Sequence, residues 1–157
     1  MKIKLIVIGK TDQDYLKQGI EQYEQRIKKY LPFELIVVPA PKNINSLSIQ
    51  EQKNKEGELL IKYISKDDKP VLLDENGSQH TSVEFSRYLQ KCMNSGVKNL
   101  TFIVGGPYGF SEEVYERTKE KIALSKMTFS HQMVRLFFSE QLYRALTIIK
   151  GERYHHL

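Results

Sequence analysis

Leu100-Thr-Phe-Ile-Val-Gly-Gly-Pro-Tyr-Gly-Phe110 is the stretch that decides the fold. Its first five residues form a largely apolar run, which is typical of a strand buried on both faces of a parallel sheet. Two adjacent glycines follow and allow other atoms to approach the backbone closely, while Pro107 stiffens the turn. The stretch therefore predicts a central parallel strand whose carboxyl end opens into a tight glycine-rich turn.

Strand-like and helix-like segments alternate on either side of this stretch. We predict strands at residues 2–9, 33–39, 69–74, 100–104 and 122–124. We predict helices at residues 12–31, 48–65, 81–94 and 130–150, and a short helix that Ser111 caps. Alternating units of this kind predict an α/β fold with a mostly parallel sheet covered by helices on both faces.

Local signals set the helix ends. Ser48 with Glu51 and Thr81 with Glu84 have the spacing of capping boxes, in which the serine or threonine and the glutamate satisfy each other's backbone N–H groups. The sequence Glu75-Asn-Gly77 predicts a turn directly after the third strand. The last helix is expected to bury one stripe of side chains, namely Met133, Phe137, Leu142, Leu146 and Ile149.

Composition restricts the class of protein. A chain of 157 residues suits one domain, spanning residues 1–157, with a substantial core. No apolar run is long enough to span a bilayer, and the amino-terminal strand lacks the features of a signal peptide, so we expect a cytoplasmic protein without a membrane partner. Cys92 is the one cysteine, and histidine spacing suggests no metal site. The net charge of +5 permits binding to nucleic acid without requiring it.

Three predicted strand ends are expected to meet at one edge of the sheet, where ligands bind in such folds. They are Leu73-Asp74, Val104-Gly-Gly106 and Leu124-Ser125. The glycine turn has neither the dinucleotide-binding spacing nor the lysine of a Walker loop. It would suit a cofactor without phosphate groups better than a dinucleotide, and a plain tight turn remains the alternative.

The segment Leu124-Ser-Lys-Met-Thr-Phe129 offers backbone hydrogen-bonding groups, hydroxyls and apolar side chains. That combination suits an adenine ring held by backbone hydrogen bonds between apolar walls. An ordinary loop between a strand and a helix is the alternative interpretation.

The last helix and the C-terminal tail carry candidate reactive groups. His131 and Arg135 lie four residues apart and share a helix face; we interpret His131 as structural, whereas Arg135 could pair with Glu140 or with a phosphate. Tyr154, His155 and His156 in the tail could accept a proton or stack on a base. A frayed terminus is the alternative.

Four runs of residues resemble a known family when they are taken together. They are Phe102 to Phe110, Ala123 to Arg135, Glu140 to Ala145 and Gly151 to His155. The chain is similar to the RlmH family, the ribosomal RNA large subunit methyltransferases H of the SPOUT class, and the similarity extends from Met1 to His155.

The resemblance implies a fold and a reaction that the residues alone did not indicate. It implies a SPOUT-type C-terminal trefoil knot, a homodimer, and S-adenosyl-L-methionine as the cofactor. It also implies methylation of N3 of pseudouridine 1915 in 23S rRNA on the assembled 70S ribosome.

The resemblance also places residues of this chain: Tyr154, His155, Arg135 and Arg144 match positions expected near the target base. We hypothesise that His155 accepts or relays the proton of N3, that Tyr154 stacks on or orients the base, and that Arg135 and Arg144 hold phosphate or base carbonyls. The cofactor contacts would be Leu73, Gly105, Leu124, Ser125, Lys126, Met127, Thr128 and Phe129. The alternatives are SPOUT methylation of a different rRNA or tRNA base, a non-catalytic ribosome-binding factor, and a module that binds a nucleotide such as ATP or NAD.

Overall fold

A computed structural model describes residues 1–156 and contains a five-stranded sheet at its centre. The strands are β1 (Lys2–Ile8), β2 (Phe33–Val38), β3 (Asp68–Gln79), β4 (Asn99–Val104) and β5 (Lys121–Ala123). Their order across the sheet is β2-β1-β4-β3-β5, and every neighbouring pair is parallel. The predicted α/β fold with a parallel sheet is confirmed, and the trefoil knot stays a prediction.

Six helical segments lie within residues 1–156, five between strands and the last one after β5. They are α1 (Asp14–Ile27), a short 3-10 helix (Ile44–Ser46), α2 (Ile49–Lys62), α3 (Ser82–Asn94), α4 (Glu112–Arg117) and α5 (His131–Ile149). Both predicted capping boxes form, and the Ser111 and Ser130 hydroxyls accept hydrogen bonds from the first turns of α4 and α5. These ends were predictable because each cap depends on residues only three positions apart.

The two faces of the sheet are buried by different helices, and alternate residues of β4 show this directly. Phe102 packs in the cluster that contains Phe138 of α5, with ring centroids 4.6 Å apart, whereas Ile103 packs with Leu60 of α2 and Val114 of α4. Helices α1 and α3 cover the same face as α5. The prediction of helices on both faces is therefore confirmed.

The predicted turn after the third strand is wrong in detail. Strand β3 continues through Gly77 to Gln79, and Ile122 of β5 pairs first with Leu73 and then with Ser78. The four residues between them bulge out of the ladder. Gly77 makes this possible, because a Cβ there would lie 2.6 Å from the backbone of Ile122.

The predicted buried stripe of the last helix is only partly correct. Leu142 and Leu146 are buried as expected, but Phe137 is 41% exposed and packs its ring against Phe129 at 5.1 Å. Met133 and Ile149 are half-buried. Helix α5 contacts both α1 and α3, so its buried face is wider than one stripe; it also includes Arg135, Phe138, Ser139, Ala145 and Thr147.

Candidate functional site

A groove of about 390 Å³ lies beside the bulge of β3, at the carboxyl end of β4 and beside the segment that follows β5. These are the three places that the sequence indicated, although β3 continues beyond the bulge to Gln79. The walls of the groove come from residues 73–76, 104–110 and 115, from residues 124, 125, 127 and 129, and from residues 131 and 134 at the start of α5.

The glycine turn forms one wall of the groove as a closed loop. Gly106 and Gly109 form an antiparallel bridge, and the Gly109 N–H donates to the Gly106 carbonyl at 3.1 Å. Gly109 has a φ of +80°, a conformation that favours glycine. A Cβ on Gly105 would lie 3.2 Å from the Gly109 carbonyl carbon and oxygen, so Gly105 lets the loop fold tightly onto itself.

A buried carboxyl group of helix α2 packs against this loop. The Glu56 side chain packs against Gly106, is 2% exposed, and accepts a hydrogen bond at 3.1 Å from the Gln52 amide. Burial raises the pKa of Glu56, and the Gln52 hydrogen bond only partly opposes that rise. Sequence reasoning missed Glu56, because nothing in the pattern of α2 distinguishes it from the solvated glutamates around it.

The segment 124–129 forms the opposite wall. The Ser125 hydroxyl accepts from the Met127 N–H at 3.0 Å, and the Thr128 hydroxyl donates to the Glu75 carboxylate at 2.6 Å. The second bond ties this segment to the bulge of β3. Of the eight predicted cofactor residues, all but Lys126 and Thr128 line the groove; those two side chains are exposed.

The rim of the groove is acidic. Asp74 accepts a hydrogen bond from the Tyr115 hydroxyl at 2.5 Å, and burial followed by this bond raises the pKa of Tyr115. Asp74 and Glu75 are the charged side chains among the described residues that line the groove, and no lysine or arginine lines it. Such a rim repels a polyphosphate and attracts a cationic group such as a sulfonium.

Arg135 is placed inside the protein and away from the groove. It is 1% exposed, and its guanidinium donates to the carbonyls of Ile8 and Gly9 and to the hydroxyl of Thr11. Arg135 therefore fixes the end of β1 and the loop that follows. Its neighbour His131 does line the groove, and burial, with a smaller contribution from the Arg135 charge, lowers the pKa of His131.

The C-terminal tail folds back onto the other end of α5. Arg144 is ion-paired to Glu140 at 2.6 Å, and its other terminal nitrogen lies 3.5 Å from His155 Nδ1. Tyr154 and His155 do not line the groove of their own chain. Val134 at the groove and Arg144 beside the tail are ten residues apart on one helix, which corresponds to about 15 Å along the axis.

Between residues 1 and 156, no helix combines the length and the apolar character that crossing a membrane requires. Within the same residues, no three histidine, cysteine or acidic side chains are grouped as a metal site.

The class of protein follows from this fold and site together with a family comparison. Residues 1–155 match the family described as "Predicted SPOUT methyltransferase". The chain therefore belongs to the SPOUT methyltransferase family, whose match covers the sheet, the groove and the tail.

Several curated relatives are similar over nearly the whole chain. Proteins named "Ribosomal RNA large subunit methyltransferase H" from Parabacteroides distasonis and Christiangramia forsetii are each 57% identical, covering 99% of this chain and 99% of each relative. The protein of that name from Bacteroides thetaiotaomicron is 51% identical with the same coverage. The resemblance seen in the sequence is thereby confirmed. A solved structure of a probable methylase family protein from Haemophilus influenzae Rd KW20 is 13% identical, with a TM-score of 0.48, and covers 99% of this chain and 70% of that one.

Proposed function

We propose that this protein is an S-adenosyl-L-methionine-dependent methyltransferase of large-subunit ribosomal RNA. Its substrate would be N3 of pseudouridine 1915 of 23S rRNA in the assembled 70S ribosome in the cytoplasm. The observation that carries the proposal is the groove, whose rim is acidic and whose walls are glycine-rich and apolar, in a chain that belongs to a methyltransferase family. The names of the relatives support ribosomal RNA as the substrate class.

The residues of the groove fit the proposed cofactor. Backbone groups of residues 124–129, including Lys126 and Thr128, would bind the adenine between the apolar side chains of Leu73 and Leu124. Gly105 would let the sugar approach the loop. The carboxylates of Asp74 and Glu75 at the groove favour a positively charged ligand, which supports a sulfonium cofactor over ATP or NAD. When bound, S-adenosyl-L-methionine supplies an activated methyl group.

The chain must then orient the base and remove the proton of its N3. We propose that His155, which is half-buried beside Arg144, accepts this proton. Since the tail lies about 15 Å along α5 from its own groove, we propose that a second copy supplies it. A homodimer would thereby build each site from the groove of one protomer and the tail of its partner.

The two arginines receive different roles. Arg144 is half-buried at the tail and is proposed to contact a phosphate or a base carbonyl. The terminal nitrogens of Arg135 are already bonded to backbone carbonyls and to Thr11, so we propose that Arg135 acts by holding the loop at residues 8–11. The net charge of +5 is modest for an RNA-binding protein and fits recognition of ribosome shape more than extensive phosphate contact.

The test is transfer of labelled methyl from S-adenosyl-L-methionine to 70S ribosomes that lack this modification. Isolated subunits and naked rRNA are assayed in parallel, and the product nucleoside is identified by mass. We expect label on 70S ribosomes alone, as N3-methylpseudouridine. Label on tRNA or on another base would refute the assigned substrate and leave the methyltransferase class intact.

A Gly105→Trp variant separates catalysis from ribosome binding. The indole would fill the glycine loop, so we expect loss of cofactor binding by calorimetry while the variant still sediments with ribosomes. Unchanged cofactor affinity would refute the proposed position of the cofactor. Cofactor binding by the wild-type protein without methyl transfer to any RNA would favour a non-catalytic ribosome-binding factor.

A further inference from the structure

A cluster of tyrosines and arginines joins the C-terminal tail to α1 and α5. The ring of Tyr143 lies 5.9 Å from that of Tyr23 and 4.7 Å from that of Tyr154. The Arg26 guanidinium lies over the rings of Tyr23 and Tyr143, at 5.4 and 5.6 Å. Cation–π contacts, and edge-to-face ring pairs such as Tyr143 with Tyr154, stabilise a docked segment beyond the area they bury.

The Tyr154 hydroxyl is at the centre of the cluster. It donates to the Glu140 carboxylate at 3.1 Å and lies 3.3 Å from the Tyr23 hydroxyl. Because the carboxylate can only accept, the simplest arrangement has Tyr23 donating to Tyr154 and Tyr154 donating to Glu140. Burial above all, and also the Glu140 charge, raises the pKa of Tyr154, so its hydroxyl keeps the proton that it donates to Glu140.

The Glu140 carboxylate connects the Tyr154 hydroxyl to Arg144, whose guanidinium lies near His155. The same carboxylate oxygen accepts from Arg144 Nε at 3.0 Å and Nη2 at 2.6 Å, and the Gln141 amide donates to the other oxygen at 2.7 Å. Arg144 Nη1 lies 3.5 Å from both the Tyr154 carbonyl and His155 Nδ1. The Arg144 guanidinium also lies 4.7 Å from the centre of the Tyr154 ring.

We propose that Tyr154 anchors the C-terminal tail and is not a platform for the target base, and that Tyr23 and Glu140 are positioning residues that set the place of His155. The Tyr154 hydroxyl is engaged by Glu140, one face of its ring is covered by Arg144, and Tyr143 packs against the ring at 4.7 Å. A base could stack on the face that Arg144 covers only after part of this cluster had opened. The catalytic consequence rests on the function proposed above, whereas the docking itself does not.

Cleavage by trypsin reports how firmly the C-terminal tail is held against α1 and α5, without any activity assay. Arg153 is exposed, and cleavage after it releases residues 154–157, a loss that intact-mass analysis detects. Cleavage requires the tail to open, so its rate follows the open population when closing is fast. Tyr23→Phe removes one neutral hydrogen bond, and we expect cleavage about fivefold faster. Glu140→Gln removes the charge that holds both Tyr154 and Arg144, and we expect a larger increase, on the order of tenfold or more.

Tyr15→Phe is the matched control, because Tyr15 lies on the same helix as Tyr23 and is 62% exposed. We expect its cleavage rate to equal that of the wild-type protein. Equal rates for the wild type, Tyr23→Phe and Glu140→Gln would overturn the anchoring role. Circular dichroism at the assay temperature verifies that each variant is folded.

Methyl transfer at saturating 70S ribosomes then tests the positioning role. We expect Glu140→Ala to lower kcat at least tenfold with cofactor affinity unchanged, and Glu140→Gln, which keeps an acceptor oxygen, to recover part of that loss. Faster tail cleavage with an unchanged kcat would overturn the positioning role. Tail cleavage that responds as expected, while even the wild-type protein transfers no methyl group, would refute the proposed function and leave the anchor standing.

Discussion

Replacing Gly106 by alanine tests whether Glu56 fixes the glycine loop of the groove. A Cβ at position 106 would overlap Glu56 Oε2 and lie 2.5 Å from Glu56 Cδ. Glu56 is 2% exposed and bonded to Gln52, so its carboxyl group has no solvent to move into. The added methyl group must therefore displace either the loop or helix α2.

The magnitude follows from the known cost of overpacking a core. An extra methyl group in a tightly packed site costs about 1–3 kcal/mol. For a chain of this length each kcal/mol lowers Tm by about 2–4 °C, so we expect a decrease of roughly 2–12 °C. Displacement of the loop should also weaken S-adenosyl-L-methionine binding several-fold, which isothermal titration calorimetry would measure.

Two further variants make the reasoning refutable. Glu56→Ala should relieve the overlap, so the double variant with Gly106→Ala should be more stable than the sum of the single changes, by about 1 kcal/mol or more. Gly19→Ala is the control, because its Cβ would meet the flexible end of the Leu136 side chain, and we expect little loss of Tm. Additive effects of Gly106→Ala and Glu56→Ala in thermal melts would refute the proposed contact.

Three other substitutions test buried ionisable groups. The pKa of Glu56 is raised in the folded state, so above pH 4.5, the ordinary pKa of the group, the unfolded chain loses a proton that the folded protein keeps. The free energy of unfolding therefore falls as pH rises from 4.5 to the raised pKa. Over that range the Tm of Glu56→Gln should increase relative to the wild type as pH rises, and a constant difference in Tm would contradict this. Asp68 lies 2.9 Å from Lys4, whose side chain is 14% exposed, and Asp68→Ala should cost roughly 2–4 kcal/mol in urea unfolding because it leaves the ammonium group unpaired. Arg135→Lys should lower Tm by several degrees, since an ammonium group cannot reproduce the fork that reaches the carbonyls around Gly9, and an unchanged melt would argue against that clamp.

The sequence by itself determined the features that depend on near neighbours. Ser48 and Thr81 start their helices through groups three residues away, so their spacing was sufficient to locate both caps. Apolar runs between turn residues located the strands, and their alternation with helices implied a parallel sheet. The groove was located by the same reasoning, because the carboxyl ends of parallel strands meet at one edge and Gly105 directly follows one of them.

Only the tertiary structure decided which polar side chains face the groove and which hold the fold together. Arg135 looked like a ligand contact in the sequence, yet its partners are the carbonyls of Ile8 and Gly9, about 126 positions earlier in the chain. Glu56 and Tyr154 obtain their roles from contacts with Gly106 and Tyr23, residues distant in the chain, and local sequence patterns do not show such contacts. The physical reason is that burial and hydrogen bonding depend on distance in space, and the packing of α2 and α5 against other elements sets that distance.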